Sequence, residues 1–134
     1  MADVPRPIAV FMCERVLQDM LRKTDITLVN IHSTMSVQQF PAVVPLVFAY
    51  SEVTGSATEF SYQFRFKDKR GQVITESNVQ QVAPSPDKNI SHKLIGAFSG
   101  LLFPEEGSYQ LMLAINNKEV AGMEFQIIKI AAQA

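Results

Sequence analysis

Between Glu59 and Asp68 hydrophobic and polar residues alternate strictly, with Phe60, Tyr62, Phe64 and Phe66 interleaved by Ser61, Gln63, Arg65 and Lys67. Successive side chains of a strand point to opposite faces, whereas a helical stripe recurs every third or fourth residue. The segment is therefore read as a strand with a buried aromatic face. The loop Asp68-Lys69-Arg70-Gly71 follows, with Gly71 free to take a positive φ, and Gln72 to Val82 reads as the return strand of a hairpin.

The same grammar recurs downstream. Tyr109, Leu111, Leu113 and Ile115 alternate with Gln110, Met112, Ala114 and Asn116. Asn116-Asn117 suits a tight turn, because Asn tolerates the left-handed backbone region that hairpin turns use. Glu119 to Ile130 returns with Met123, Phe125 and Ile127 in phase. Further strands are read at about Ile8 to Gln18, Ile26 to Val37, Val44 to Val53 and Ser91 to Leu102, bounded by turn residues such as Lys23-Thr24-Asp25 and Pro84-Ser85-Pro86-Asp87. About eight strands at this spacing predict an all-β, two-sheet antiparallel sandwich, immunoglobulin-like or jelly-roll, with a barrel as the weaker option. One segment has a rival reading. In Glu14 to Lys23, Val16, Leu17, Met20 and Leu21 also sit at helical spacing, although Pro5 and Pro7 favour an extended start.

Composition narrows this to one domain spanning residues 1–134. The 134 residues are 47% hydrophobic and 19% charged, a balance that opposes disorder and supports a core without staples. A formal charge of -1 and a pI near 6.1 supply no field for nucleic acid or an anionic membrane. The lone Cys13 cannot form an internal disulfide, which suits a reducing compartment. The apolar run from Ile8 to Cys13 ends at Glu14-Arg15, too short for a signal-peptide core, and Met12 is too bulky for a lipoprotein cleavage site. Cytoplasm is the default expectation.

Candidate chemistry is sparse. Cys13, His32 and His92 lack metal-ligand spacing, and Cys13 lies in an apolar run that favours an inert thiol, so neither a metal site nor a cysteine nucleophile is expected. No cofactor motif is present. The basic stretch Phe64 to Arg70 resembles a nucleic-acid platform only superficially, since alternation sends Arg65 and Lys67 away from the rings. With no Trp, and with Tyr50, Tyr62 and Tyr109 each in phase with apolar residues, a sugar-binding platform is also disfavoured. Glu105-Glu106 reads as a pair of turn acids rather than a catalytic dyad, and Gly96 and Gly100 as marks of a bulge or close backbone approach. The remaining clue is polar residues inside apolar strands: Glu14 in phase with Val10 and Met12, and Asn30 and His32 in phase with Ile26 and Leu28. If buried, they need partners, and cross-strand pairing of Glu14 with Asn30 or His32 is the expectation. Glu14, Asn30 and His32 are the first place to look for a binding site, with a structural role as the stronger reading.

Several short patterns occur together: Val10-Phe11-Met12-Cys13-Glu14, Ile26-Thr27-Leu28-Val29-Asn30-Ile31, Phe40-Pro41 with Pro45, Asp68-Lys69-Arg70-Gly71, and Phe103-Pro104-Glu105-Glu106-Gly107-Ser108-Tyr109. The set resembles a bacterial family of small uncharacterised proteins that share a cysteine-acid motif, a Phe-Pro step and a proline-acid-Gly-x-Tyr turn. That resemblance implies a cytoplasmic β-sandwich with no established activity, and it transfers no functional residue.

These observations favour a noncatalytic module that binds another protein or assembles with itself, because sandwiches leave edge strands open to pairing. Met112, Ala114, Ile128 and Ile130 are candidates for an apolar contact patch, against packing under a neighbouring segment. Two alternatives stand beside it: a small hydrolase or isomerase using Glu14 and His32, with or without Cys13, and a carrier holding a small apolar ligand between its sheets.

Overall fold

A computed structural model of the chain describes residues 5–22, 25–87 and 89–130. Ten strands follow one another without an intervening helix among these residues: β1 (Pro7–Gln18), β2 (Ile26–Ile31), β3 (Thr34–Val37), β4 (Ala42–Val53), β5 (Phe60–Lys67), β6 (Val73–Glu76), β7 (Gln80–Val82), β8 (His92–Phe103), β9 (Gly107–Ile115) and β10 (Lys118–Lys129). Among the described residues no helix is long and apolar enough to cross a membrane. The rival helical reading of Glu14 to Lys23 is corrected, since Glu14 to Gln18 continue β1. Lys23 and Thr24, the end of that segment and the start of the expected turn, lie outside the described residues.

The strands form two sheets, ordered β2-β1-β4-β8 and β3-β10-β9-β5-β6, with β7 also pairing with β5. All pairings are antiparallel except one: β3 runs parallel to β10, from Thr34 beside Gln126 to Val37 beside Lys129. The expectation of purely antiparallel sheets is therefore corrected. The cause is a crossover that the run Ile26 to Val37 conceals. Asn30 takes a left-handed φ of 53°, the chain passes through His32 and Ser33, and what began as an edge of one sheet becomes an edge of the other. The Ser33 carbonyl accepts from the Gln126 N–H at 3.0 Å to start the new pairing.

Two of the eight expected strands are split in this way, which accounts for the ten. In Gln72 to Val82 the break comes at Ser77, whose hydroxyl accepts from the Phe64 N–H at 3.0 Å while its own N–H donates to the Phe64 carbonyl at 2.9 Å. The chain keeps its antiparallel course along β5 on both sides of the break, with Glu76 beside Arg65 and Gln80 beside Tyr62, while residues 77–79 interrupt the ladder. The expected hairpin turns do form, with φ of 82° at Gly71 and 50° and 67° at Asn116 and Asn117.

Both sheets contribute to one core. Met12, Val47, Ala49, Leu94, Phe98 and Phe103 from the four-stranded sheet meet Phe60, Phe64, Phe66, Tyr109, Leu111 and Phe125 from the six-stranded sheet. The alternating positions of β5, β9 and β10 supply it, and aromatic edge-to-face contacts join the layers, as between Phe66 and Phe98 at 4.7 Å. Gly96 is required by this packing, because a Cβ there would lie 2.8 Å from the Phe64 ring. Gly100 serves the backbone instead: with φ of 64°, it sits where β8 and β4 exchange inward and outward positions, so that Phe98 and Leu101 both reach the core.

Candidate functional site

β1 and β2 bring two of the three polar candidates together. Cys13 pairs with Ile31 and Arg15 with Val29, which sets Glu14 opposite Asn30, and the Asn30 amide donates to the Glu14 carboxylate at 2.5 Å. The expected cross-strand pair thus forms, but both residues are exposed, so no burial demands it. His32 does not join them. Its backbone N–H donates to the Met12 carbonyl at 2.7 Å, and its ring makes no hydrogen bond or ion pair among the described residues. Cys13 is fully buried, and burial pushes its thiol above the ordinary range, the opposite of what a nucleophile requires. Among the described residues no group of three or more His, Cys, Asp or Glu is placed to hold a metal.

A more developed constellation lies on the outer face of the four-stranded sheet. β1 pairs with β4 only as far as Cys13 and Phe48, and beyond that point its hairpin with β2 departs from β4. Val16 and Ile26 of that hairpin, Phe48 of β4, and Ile90 and Ile95 face a pocket of about 670 Å³, to which Ser91, His92 and Lys93 add polar groups. Behind this polar end, Lys93 donates to Glu52 at 2.8 Å and the Tyr50 hydroxyl donates to the same carboxylate oxygen at 3.3 Å. The hydrogen bond from Lys93 holds the Glu52 carboxyl below its ordinary range. Burial, reinforced by the Glu52 charge, pushes the Tyr50 phenol up to about 12.

His92 lies 2.6 Å from the Ser85 hydroxyl and edge-on to Phe60, and burial lowers its affinity for a proton. This Ser-His contact belongs to a loop brace: Ser85 Oγ also accepts from the Ser56 N–H at 3.1 Å and donates to the Ile90 carbonyl at 3.3 Å. The hydroxyl is occupied in fixing the segment before β8, which is a structural task.

The two outer faces differ sharply in chemistry. On the six-stranded sheet, Glu119 accepts from Lys67 at 2.7 Å and Arg65 at 3.3 Å, and Arg65 reaches Asn117 at 2.6 Å and Glu76 at 3.7 Å. The alternation that sends Arg65 and Lys67 away from the rings therefore builds an ion-pair network. The proposed apolar patch on this face is corrected in part: Ala114 is buried and Met112 lies against Gly122, leaving Ile128 and Ile130 exposed.

The four-stranded sheet instead presents apolar rows. Phe11, Tyr50 and Ile95 stand in register, as do Ile31, Cys13, Phe48 and Ala97, with Tyr50 and Cys13 buried within their rows. Ile31 is 54% exposed and Leu46 48%. At the hairpin tip Met20 and Leu21 are 91% and 95% exposed. The tip is ordered by Asp19, whose carboxylate accepts from the N–H groups of Leu21 and Arg22, both at 2.8 Å.

Sequence reasoning missed this face because its residues become neighbours only through strand order. Phe11, Tyr50 and Ile95 come from three strands, and Tyr50 looks like a core residue until Val47 and Ala49 are seen to occupy the inward positions. One legible signal existed: the adjacent apolar pair Met20-Leu21 between Asp19 and Arg22 lies outside any alternating pattern.

A protein-family model described as a family of unknown function, DUF6941, matches residues 8–128. No curated protein matches the chain. Among solved structures, an alkylpurine DNA glycosylase AlkC of Pseudomonas fluorescens, bound to DNA containing an abasic site analog, is similar with a TM-score of 0.47 and 6% identity over 89% of this chain and 30% of that one. A beta-glucosidase from Listeria innocua is similar with a TM-score of 0.48 and 7% identity over 96% of this chain and 17% of that one. The chain thus spans under a third of either structure's length, and likeness at this level carries no argument about activity.

Proposed function

The chain belongs to the DUF6941 family, a family of unknown function, and we propose that it is a noncatalytic β-sandwich domain, immunoglobulin-like or jelly-roll, that docks another protein on the outer face of its four-stranded sheet. The observation that carries this reading is the contrast between the two outer faces. One carries the ion-pair network centred on Glu119, with Ile128 and Ile130 exposed beside it, while the other exposes Phe11, Ile31, Leu46 and Ile95 and has the single ion pair of Lys93 with Glu52 among its described residues. Exposed apolar side chains scattered singly are ordinary, but a contiguous set on one sheet face marks an interaction surface. The ordered tip with Met20 and Leu21 extends the same surface. Against catalysis stand the separate placements of Glu14 and His32 and the raised thiol of Cys13.

The test places a photo-crosslinking residue at Leu46 and, as a control, at Gln110 on the ion-paired face. Crosslinking to a protein from Leu46 that disappears with Ile31→Glu supports the reading. Equal crosslinking from both positions, or none from either, removes it. Light scattering at micromolar concentration decides whether the docked protein is a second copy.

A second reading is favoured by the pocket beneath the β1–β2 hairpin, whose apolar walls and few convergent polar groups suit a small apolar ligand. Its location on the outer face differs from the expected one between the sheets. Native mass spectrometry finding a retained small molecule that is lost with Ile95→Lys favours this reading, and a bare protein mass removes it.

A further inference from the structure

The two sheets end very differently on their open sides. β2 and β3 are short edges joined to each other by the chain, β6 has only four residues, and β8 is a twelve-residue edge with a neighbour on one side only. Natural sheets blunt long edges with lysine, proline, bulges or a covering element. From Leu94 to Leu102, β8 has no charge and no proline, and its sole irregularity is Gly100. The backbone of this edge is already engaged from outside the ladder, since the Tyr62 hydroxyl, arriving from the other sheet, donates to the Ile95 carbonyl at 3.1 Å. That carbonyl points away from β4. Because main-chain groups of residues two apart face the same side of a strand, Ala97 and Ser99 direct their N–H and C=O outward as well. Alongside them run two adjoining hollows of about 350 and 270 Å³, which share Phe98 as floor and are walled by Ile74 and Thr75 at one end and Glu76, Ser77 and Gln80 at the other.

We propose that the free edge of β8 between Ile95 and Leu102 takes one extended segment of another polypeptide, paired through main-chain hydrogen bonds and seated in the groove between β8 and β6. Unpaired N–H and C=O groups at strand spacing are complementary to one ligand chemistry, another extended backbone. The floor of Phe98 and Ile74 selects apolar side chains at alternate positions, and Glu76 in the wall facing the uncharged edge disfavours an acidic one. A single segment fits better than the β8 of a second copy, which would bring its own wall of residues 74–80 against this one. The outward main-chain groups of this edge are distinct from the apolar outer face, which Ile95 and Ala97 join only through their side chains, and the Ile31→Glu variant separates this inference from the docking reading above.

The experiment uses a fluorescein-labelled nonapeptide of alternating valine and threonine with a lysine at each end, and two versions of it N-methylated on one or the other set of alternate amides. Binding is read by anisotropy against the full chain. The parent peptide is expected to bind, and one methylated version to lose about tenfold or more, on the order of one or two main-chain hydrogen bonds. Ala97→Pro, which removes an outward N–H, and Ser99→Lys are each expected to weaken the parent peptide similarly, whereas Ile31→Glu, which disrupts the outer face, is expected to leave peptide binding unchanged. Amide exchange at Ala97 and Ser99 should slow when the peptide is bound, a readout that stands even if the proline variant fails to fold. Equal binding by both methylated versions, no binding at millimolar peptide, or a dimer that Ala97→Pro converts to a monomer would each overturn the proposal, the last in favour of a second copy.

Discussion

The hydroxyl of Tyr109 donates to the carbonyl oxygen of Glu105 at 2.6 Å, so the residue whose ring packs between Phe103 and Phe125 also closes the turn that leads into its own strand. Tyr109→Phe keeps the ring and removes the tie, leaving the Glu105 carbonyl without its donor. A loss of about 1 kcal/mol is expected, against about 3–5 kcal/mol for Tyr109→Ala, which also empties the core. Urea titrations of the two variants check the difference, and equal losses would mean that the turn does not depend on the hydroxyl.

Glu52 and Glu119 each accept a lysine hydrogen bond that holds the folded-state carboxyl below its ordinary value of 4.5. A depressed folded value means that their stabilisation is fully present above that ordinary value. It is lost as pH falls through the lower folded-state value. Thermal unfolding followed from pH 7 downward should therefore show wild-type stability falling in the acid range with a steeper slope than Glu119→Gln. Identical slopes would separate the Glu119 network from acid stability.

Gly96 carries a steric prediction. The nearest atoms to a Cβ there belong to Phe64, a fully buried ring without room to withdraw. Gly96→Ala is expected to cost about 1–3 kcal/mol by overpacking, and Phe64→Leu in the same chain should recover part of that loss. Denaturant midpoints of the single and double variants measure the coupling; strict additivity would remove the contact from the explanation.

Cys13 is expected to resist alkylation in the native protein and to react on unfolding, because its thiol is fully buried and burial raises its pKa, which suppresses the thiolate. Labelling with iodoacetamide across a urea gradient should follow the unfolding curve. Fast modification in buffer alone would place the thiol in a mobile or open part of the sheet.

At the hairpin tip, replacing both Met20 and Leu21 with serine removes apolar side chains that touch little of the protein. Stability should stay within about 0.5 kcal/mol of wild type, as for surface positions generally. Crosslinking from Leu46 should fall if the tip and the sheet face act together. A large stability loss would instead assign the pair a packing role.

The legible and the hidden parts of this molecule divide along a physical line. Alternation is local, so Phe60 to Phe66 and Tyr109 to Ile115 announced their strands, and Gly71 and the Asn116-Asn117 pair announced their turns. Sheet membership is not local. The run from Ile26 to Val37 has the same pattern on both sides of His32, and the change of sheet depends on where β10 lies. Glu14 and Asn30 were legible as a pair because a hairpin fixes their register, whereas Phe11, Tyr50 and Ile95 required the order of three strands. Lys93 and Glu52 could be matched only once β4 and β8 were known to be neighbours.

The chain passes between the sheets five times, from β2 to β3, β3 to β4, β4 to β5, β7 to β8 and β8 to β9. The two layers are therefore laced together by backbone at several margins, the one beside β8 included. Along the middle of that margin, between these stitches, the layers are held by side-chain contacts such as Tyr62 to Ile95 and Phe66 to Phe98. A segment inserted there would add one more stitch to a seam that the chain's own crossings have already begun.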